Sequence, residues 1–195
     1  MSRLKGRTAF ITGAGAGIAR SAAELFADEG AEVALIELNE HTGSAVEKSL
    51  RERGKQALFV RTDVTQEGSV AAAVDAVVRT FGKIDLLFNC AGGSVVEDSL
   101  VTDVDLQDVW RRTMNVNLLG TMLCSRHVIP QIIAAGGGTV VNMSSGAALR
   151  GASPLHVYTA AKGAIVSLTR SMAGAYARQN VRVNAICAGR IQTER

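Results

Sequence analysis

The chain has 195 residues, 47% of them apolar and 20% charged, with 21 basic and 18 acidic side chains for a formal charge of +3. A chain of this length fits one domain, residues 1–195, and buries roughly 70% of its unfolded surface, so it needs neither disulfides nor a structural metal, and its composition argues against disorder. Charges of both signs are interspersed. The densest basic stretch, RERGK at residues 51–55, includes Glu52 and sits where a helix should end, which argues against a nucleic-acid partner.

Cys90, Cys124 and Cys187 are odd in number and far apart, and His41, His127 and His156 form no H-x-x-x-H pair. This pattern points to small thiols in a reducing compartment and to no metal site. The N-terminal MSRLKGR runs into a strand without a signal-peptide core, and no window is apolar for the length a bilayer requires. The expectation is a soluble, cytoplasmic domain with no membrane partner.

Strand-length apolar runs alternate with helical patterns along the chain. Residues 8–12 (TAFIT) read as a first strand that ends in a glycine loop. Residues 18–28 follow as a helix, with Ile18, Ala22, Leu25 and Phe26 on one stripe. Gly30 stops that helix before a second strand at 32–38. A helix at 41–53, a third strand at 57–62, a helix at 70–81 and a fourth strand at 86–89 come next. A long helical region spans about 105–135, broken or joined near 115–117, and the GGG at 136–138 ends it. Residues 139–143 form strand five, 158–179 an Ala-rich helix and 181–186 strand six. Such alternation predicts a doubly wound α/β fold with a parallel sheet, right-handed crossovers and helices on both faces.

In such folds ligands bind beyond the carboxyl ends of the strands, where strand order reverses. After strand one, TGAGAGIA (residues 12–19) fails the G-x-G-x-x-G template in both registers, because Ile18 and Arg20 stand where glycine is required. Gly13 and Gly17 still bracket a turn that delivers main-chain N–H groups to a helix N-terminus, which suits a pyrophosphate. A plain strand–helix turn would look the same. Gly15, between them, reads as more permissive. Glu37 ends strand two about twenty residues on; an acid there accepts bonds from both adenosine ribose hydroxyls and repels a 2′-phosphate, favouring NAD(H). A solvated strand-end acid is the bland alternative. Asp63 and Val64 follow strand three, where a carboxylate near an adenine amino group and a turn cap are equally served.

Tyr158 and Lys162 lie four apart at the start of a helix, hence on one face. A tyrosine hydroxyl ordinarily titrates near pH ~10 and serves as an acid–base group at neutrality only when its anion is stabilised, which an ammonium one turn away can do. Ser145 can place a hydroxyl beside the same point. Asn117, in NVNLLG, can interrupt its helix and hold a water. Y-x-x-x-K alone is a frequent surface pair; its combination with the serine-ended fifth strand and the glycine-looped first strand is the specific signal.

These motifs resemble the short-chain dehydrogenase/reductase family, in its short single-domain, 3-oxoacyl reductase-like branch. That branch carries T-G-x-x-x-G-x-G, matched by Gly13 and Gly17 with Ala19 in the last position; N-C-A-G at 89–92 resembles its N-N-A-G. The resemblance covers the whole chain and implies a Rossmann-type sheet in the order 3-2-1-4-5-6. It implies catalytic roles for Asn117, Ser145, Tyr158 and Lys162. It also implies NAD bound by Gly13, Gly17, Ile18, Glu37, Asp63, Val64, Asn89 and Ala91, by Tyr158 and Lys162 at the nicotinamide ribose, and by Ile191 and Thr193 at the carboxamide. The implied reaction is hydride transfer between NAD(H) and a secondary alcohol or ketone. Tyr158 exchanges the hydroxyl proton, Lys162 stabilises its anion, Ser145 polarises the oxygen and Asn117 supports a water. A small-molecule substrate and a homo-oligomer, dimer or tetramer, are further implications.

Cys90, Ala19 and Ala188 depart from the pattern, Ala188 standing where a proline precedes Gly189. Family members continue past Thr193 into a substrate-covering loop, a helix and a seventh strand, whereas this chain stops at Arg195, which predicts an uncovered sixth strand and a pocket open on one side. A non-catalytic NAD-binding or interaction protein is therefore the alternative. A methyltransferase-like enzyme would leave Tyr158, Lys162 and Ser145 without a job. Substrates from 3-oxoacyl thioesters to sugars, steroids and small polyols all fit, Glu37 arguing against a biosynthetic NADPH reductase.

Overall fold

A computed structural model describes residues 2–151 and 153–193. The chain end at Arg195, on which the expectation of a missing seventh strand rests, lies outside the described residues. Six strands, β1 (Thr8–Thr12), β2 (Glu32–Glu37), β3 (Ala57–Arg61), β4 (Leu86–Asn89), β5 (Gly138–Ser145) and β6 (Val181–Ala188), form one parallel sheet in the order β3-β2-β1-β4-β5-β6. The strand order reverses between β1 and β4, as expected from the sequence.

Strands buried on both faces read as unbroken apolar runs, and all five residues of β1 are buried. Alternate side chains serve opposite faces. Phe10, Ala34, Ile36, Leu87 and Val140 pack with α3 (Glu67–Phe81), α5 (Gly120–Ala134) and α6 (His156–Tyr176). Ala9, Ile11, Val33 and Leu35 pack with α1 (Gly17–Asp28) and α2 (Glu40–Glu52). Ala19, Ala23 and Ala27 form the buried face of α1, so the methyl that replaces the expected glycine at 19 is absorbed in a small-residue seam.

Caps explain two helix limits. Asn39 accepts from the N–H groups of His41 and Thr42 to start α2, and Gly82, at φ 81°, closes α3 in the left-handed region. The helix α3 begins at Glu67, three residues before the expected start. The interruption in the long helical region is a π-helical turn, Asn115–Leu119, that joins α4 (Asp108–Met114) to α5 without breaking the rod. Strand β6 runs two residues past its expected end. Ala188 retains the N–H a proline would lack and pairs with Ser145, so β5 and β6 reach the site together. Among the described residues β6 is a sheet edge, and no helix is long and apolar enough to cross a membrane.

Candidate active site

The carboxyl ends of β1, β4, β5 and β6 converge on one cavity of about 200 Å³. Ser145, Tyr158 and Lys162 line it from β5 and α6, and Gly17, Ile18, Ile191 and Thr193 line it from the other side. Three of the four catalytic candidates therefore meet the glycine loop and the segment after β6 around a single space. A larger groove of about 1040 Å³ runs along the sheet face beside Phe26, Phe88, Val141, Arg182 and Ile186. It shares Gly17, Ile18, Met143, Ala188, Ile191 and Thr193 with the smaller cavity, whereas Ser145, Tyr158 and Lys162 line the smaller one and not the groove.

The glycine loop is built for main-chain recognition. Gly13 (φ 73°) and Gly17 (φ 56°) adopt positive φ, and a Cβ at Gly13 would stand 3.0 Å from Ala91 Cα. The first turn of α1 has no side-chain cap and no acid, leaving its N–H groups and the positive end of its dipole available to an anion. This cradle fits a pyrophosphate. Gly15 is not permissive. A Cβ there would collide with Thr42 Oγ1 and lie 2.9 Å from Glu37 Cγ, because the Glu37 carboxylate folds onto the loop.

Glu37 is held in place before any ribose arrives. Its Oε2 accepts from Gly15 N at 3.0 Å, and Oε1 accepts from Leu38 N and Asn39 N at 2.8 and 2.9 Å. Asp63 makes an Asx-type turn, Oδ1 accepting from Thr65 N and Oγ1 at 2.9 and 2.7 Å, so its turn-forming role is realised. The side chains of Val64 and Asn89 face the core, so it is their main chain that stands open to a cofactor. Val64 packs on α5, where a Cβ at Gly120 would stand 2.8 Å from it. Asn89 Nδ2 donates to Asn142 Oδ1 (2.9 Å) and Ser125 Oγ (3.2 Å).

Thr12 is a site residue that motif reading passed over. Its Oγ1 accepts from Cys90 N and Ala91 N at 2.9 and 3.0 Å, clamping the loop after β4 to the end of β1. Ala91 sits under that clamp beside Gly13.

Asn117 is fully buried in the π-helical turn. Its Nδ2 donates to Gly93 O (2.9 Å) and Thr113 O (2.8 Å), and Oδ1 accepts from Gly93 N (3.1 Å). Both amide protons are thus spent on main-chain carbonyls, and the side chain ties the β4 loop to the helix. Gly92 (φ 142°) makes room, since a Cβ there would overlap Asn117 Oδ1.

Tyr158 is the third residue of α6, and Lys162 follows one turn later with Nζ 5.6 Å from the Tyr158 ring centroid. Lys162 is bracketed by β5: Nζ donates to Met143 O at 2.9 Å, and Ser144 Oγ donates to Lys162 O at 2.8 Å. Burial of the ammonium pushes its pKa down to about 8, with Cys90 acting weakly the other way. Ser145 Oγ accepts from Ala147 N at 3.1 Å, which fixes its hydroxyl at the cavity wall. Among the described residues no three His, Cys, Asp or Glu side chains gather to hold a metal.

A protein-family model described as short chain dehydrogenase matches residues 7–195. The chain belongs to the short chain dehydrogenase family. It is an oxidoreductase by that membership. It is 38% identical over 190 residues to an oxidoreductase of Thermotoga maritima, covering 97% of this chain and 73% of that one. It is 40% identical over 187 residues to the cis-4-hydroxycyclohexanecarboxylate dehydrogenase of Sinomonas cyclohexanicum, covering 96% and 74%. The crystal structure of an NAD+-bound xylitol dehydrogenase superposes with a TM-score of 0.90 at 37% identity, covering 96% of this chain and 71% of that chain.

Proposed function

We propose that the protein is an NAD(H)-dependent dehydrogenase that interconverts a secondary alcohol and a ketone in the small cavity. The observation that carries this reading is the meeting of Tyr158, Lys162 and Ser145 in a space rimmed by the glycine loop. Bound along that loop, NAD(H) would be the source or the acceptor of the hydride. Gly13, Gly17 and the uncapped start of α1 would hold its pyrophosphate, and Glu37 its adenosine ribose. The Glu37 carboxylate, already aimed at the loop by three N–H groups, repels a 2′-phosphate and supports NAD(H) over NADP(H).

In the oxidative direction the carbinol C–H bond breaks as hydride leaves, and the O–H proton passes to the Tyr158 oxygen as the C=O bond forms. The Ser145 hydroxyl donates to the substrate oxygen, and the Lys162 ammonium stabilises the tyrosine anion that accepts the proton. Asn117 holds the β4 loop against the helix beside Lys162. The relatives support an alcohol-bearing small molecule, and the exposed Trp110, Leu119 and Met122 on α4, the π-helical turn and α5 support a homo-oligomer.

The test is NAD+ reduction over a panel including xylitol and cis-4-hydroxycyclohexanecarboxylate, with Tyr158→Phe as the decisive variant. Turnover should fall at least about 100-fold while the Kd for NADH stays within about threefold. NADH binding by the unaltered protein with no turnover on any alcohol would instead establish a cofactor-binding protein without catalysis.

A further inference from the structure

The helix α6 carries Tyr158 and Lys162, yet the residues before it provide no cap. Leu155 stands at the N-cap position and has no side-chain acceptor. The helix's own ladder begins with Thr159 N donating to Leu155 O at 2.9 Å, so the N–H groups of His156, Val157 and Tyr158 need acceptors from elsewhere. One short segment between β4 and α4 supplies all three. Ser99 O accepts from His156 N at 3.2 Å, Asp98 Oδ1 from Val157 N at 3.2 Å, and Asp98 Oδ2 from Tyr158 N at 2.7 Å. In return Val101 N donates to His156 Nδ1 at 2.9 Å.

Asp98 is 4% exposed in a stretch whose neighbours Val96 and Glu97 face solvent. A carboxylate taken out of water is costly unless something holds its charge. Among the described residues no lysine or arginine pairs with Asp98, and what holds it is the pair of N–H groups and the positive end of a 21-residue helix. The bond is made to the N–H of Tyr158 itself, in the turn most prone to fray. Lys162, one turn deeper, is fixed independently by Met143 and Ser144.

We propose that Asp98 is a positioning residue: it fixes the first turn of α6 and so sets where the Tyr158 hydroxyl stands relative to Lys162 and Ser145. The kinetic consequence rests on the dehydrogenase reading above; the structural one does not. Losing the cap frees Tyr158 to move while its partners stay, and misplacement by about 1 Å costs up to about 100-fold in rate.

Asp98→Ala and Asp98→Asn in the full chain test this by hydrogen exchange and kinetics together. In Asp98→Ala, exchange across residues 155–160 should accelerate about tenfold or more while residues 8–12 stay protected. Asp98→Asn should restore part of the protection, because its one amide oxygen can accept from only one of the two N–H groups that the carboxylate holds. On whichever panel alcohol the unaltered protein oxidises, kcat should fall about 10- to 100-fold in Asp98→Ala, with KM for NAD+ within about threefold and partial recovery in Asp98→Asn. Unchanged exchange at 155–160 overturns the proposal, as does an unchanged kcat with that turn loosened. Loss of protection at 8–12 as well makes the role global and overturns it too. If the unaltered protein oxidises nothing in the panel, the dehydrogenase reading fails, and the exchange result alone decides the role of Asp98.

Discussion

Apart from the Glu37 carboxylate, the β1–β2–β3 side of the sheet meets the cavity with main chain, whereas β5 and α6 meet it with the side chains of Ser145, Tyr158 and Lys162. Behind the glycine loop lie Ala9, Ile11, Val33 and Leu35 packed on alanines of α1, Gly13 N donates to Ile36 O at 2.7 Å, and the uncapped N–H donors are those of the first turn of α1. Behind Ser145 and Lys162 the interior is polar and wired. Asn89 donates to Asn142, Asn142 Nδ2 to Thr169 Oγ1 (2.9 Å), Ser125 to Thr121 O and Thr121 to Asn117 O (both 2.7 Å). The difference follows from what each side must hold still. A peptide N–H is positioned by its backbone, but a phenol and an ammonium swing on several torsions and need buried partners to stop them.

Removing a member of the wired side is expected to have the largest effect. Asn142→Ala takes the acceptor from Asn89 and the donor from Thr169 and opens a cavity between β4 and α6; thermal or urea unfolding should show a loss of about 3 kcal/mol.

A smaller effect separates the two sides by pH. Lys162, with its folded pKa depressed to about 8 from an ordinary 10.5, takes up a proton more readily in the unfolded chain between those values, so its contribution improves as pH rises from 8 to 10.5. Cys124, pushed up to about 12 by burial, acts in the opposite sense above pH 9 and is common to both proteins. Relative to Lys162→Met, the unaltered protein should therefore gain about 2 kcal/mol of unfolding free energy between pH 8 and 10. A flat difference across that range would show that Lys162 is solvated rather than buried in the folded protein.

The smallest expected effect falls on the main-chain side. Gly15→Ala pushes against Glu37 Cγ and Thr42 Oγ1, and the Kd for NADH should rise about tenfold, or about 1.4 kcal/mol, with little change in kcat. An unaltered Kd would mean that Glu37 does not need its bond to Gly15 for ribose binding.

Most of the architecture was legible in the chain because the signals are local. Strand and helix periods alternate cleanly, Gly30 and Gly82 end helices, and the four-residue spacing of Tyr158 and Lys162 places both on one face of α6 wherever that helix goes. The NVN stretch at 115–117 left a break and a join equally open, and it is a join through a wider turn, because Asn117 bonds Thr113 O within the rod while reaching Gly93 outside it. What misled was equally local. Gly15 looked spare in the loop and is confined by Thr42 and Glu37, residues beyond the following helix.

Residue types and spacing by themselves determined the alternation of strands and helices, the glycine loop, the acid at the end of β2 and the tyrosine–lysine pair, since each depends on neighbours within one or two elements, whereas the sheet order followed from the family resemblance. Only the tertiary structure decided that Thr12 clamps the β4 loop, that Asn89 turns into the core, and that Asp98 caps the helix of Tyr158 from a distant loop. Those bonds join residues far apart in the chain. Their geometry exists only after the sheet has brought β1, β4, β5 and α6 to one edge, and no local pattern records it.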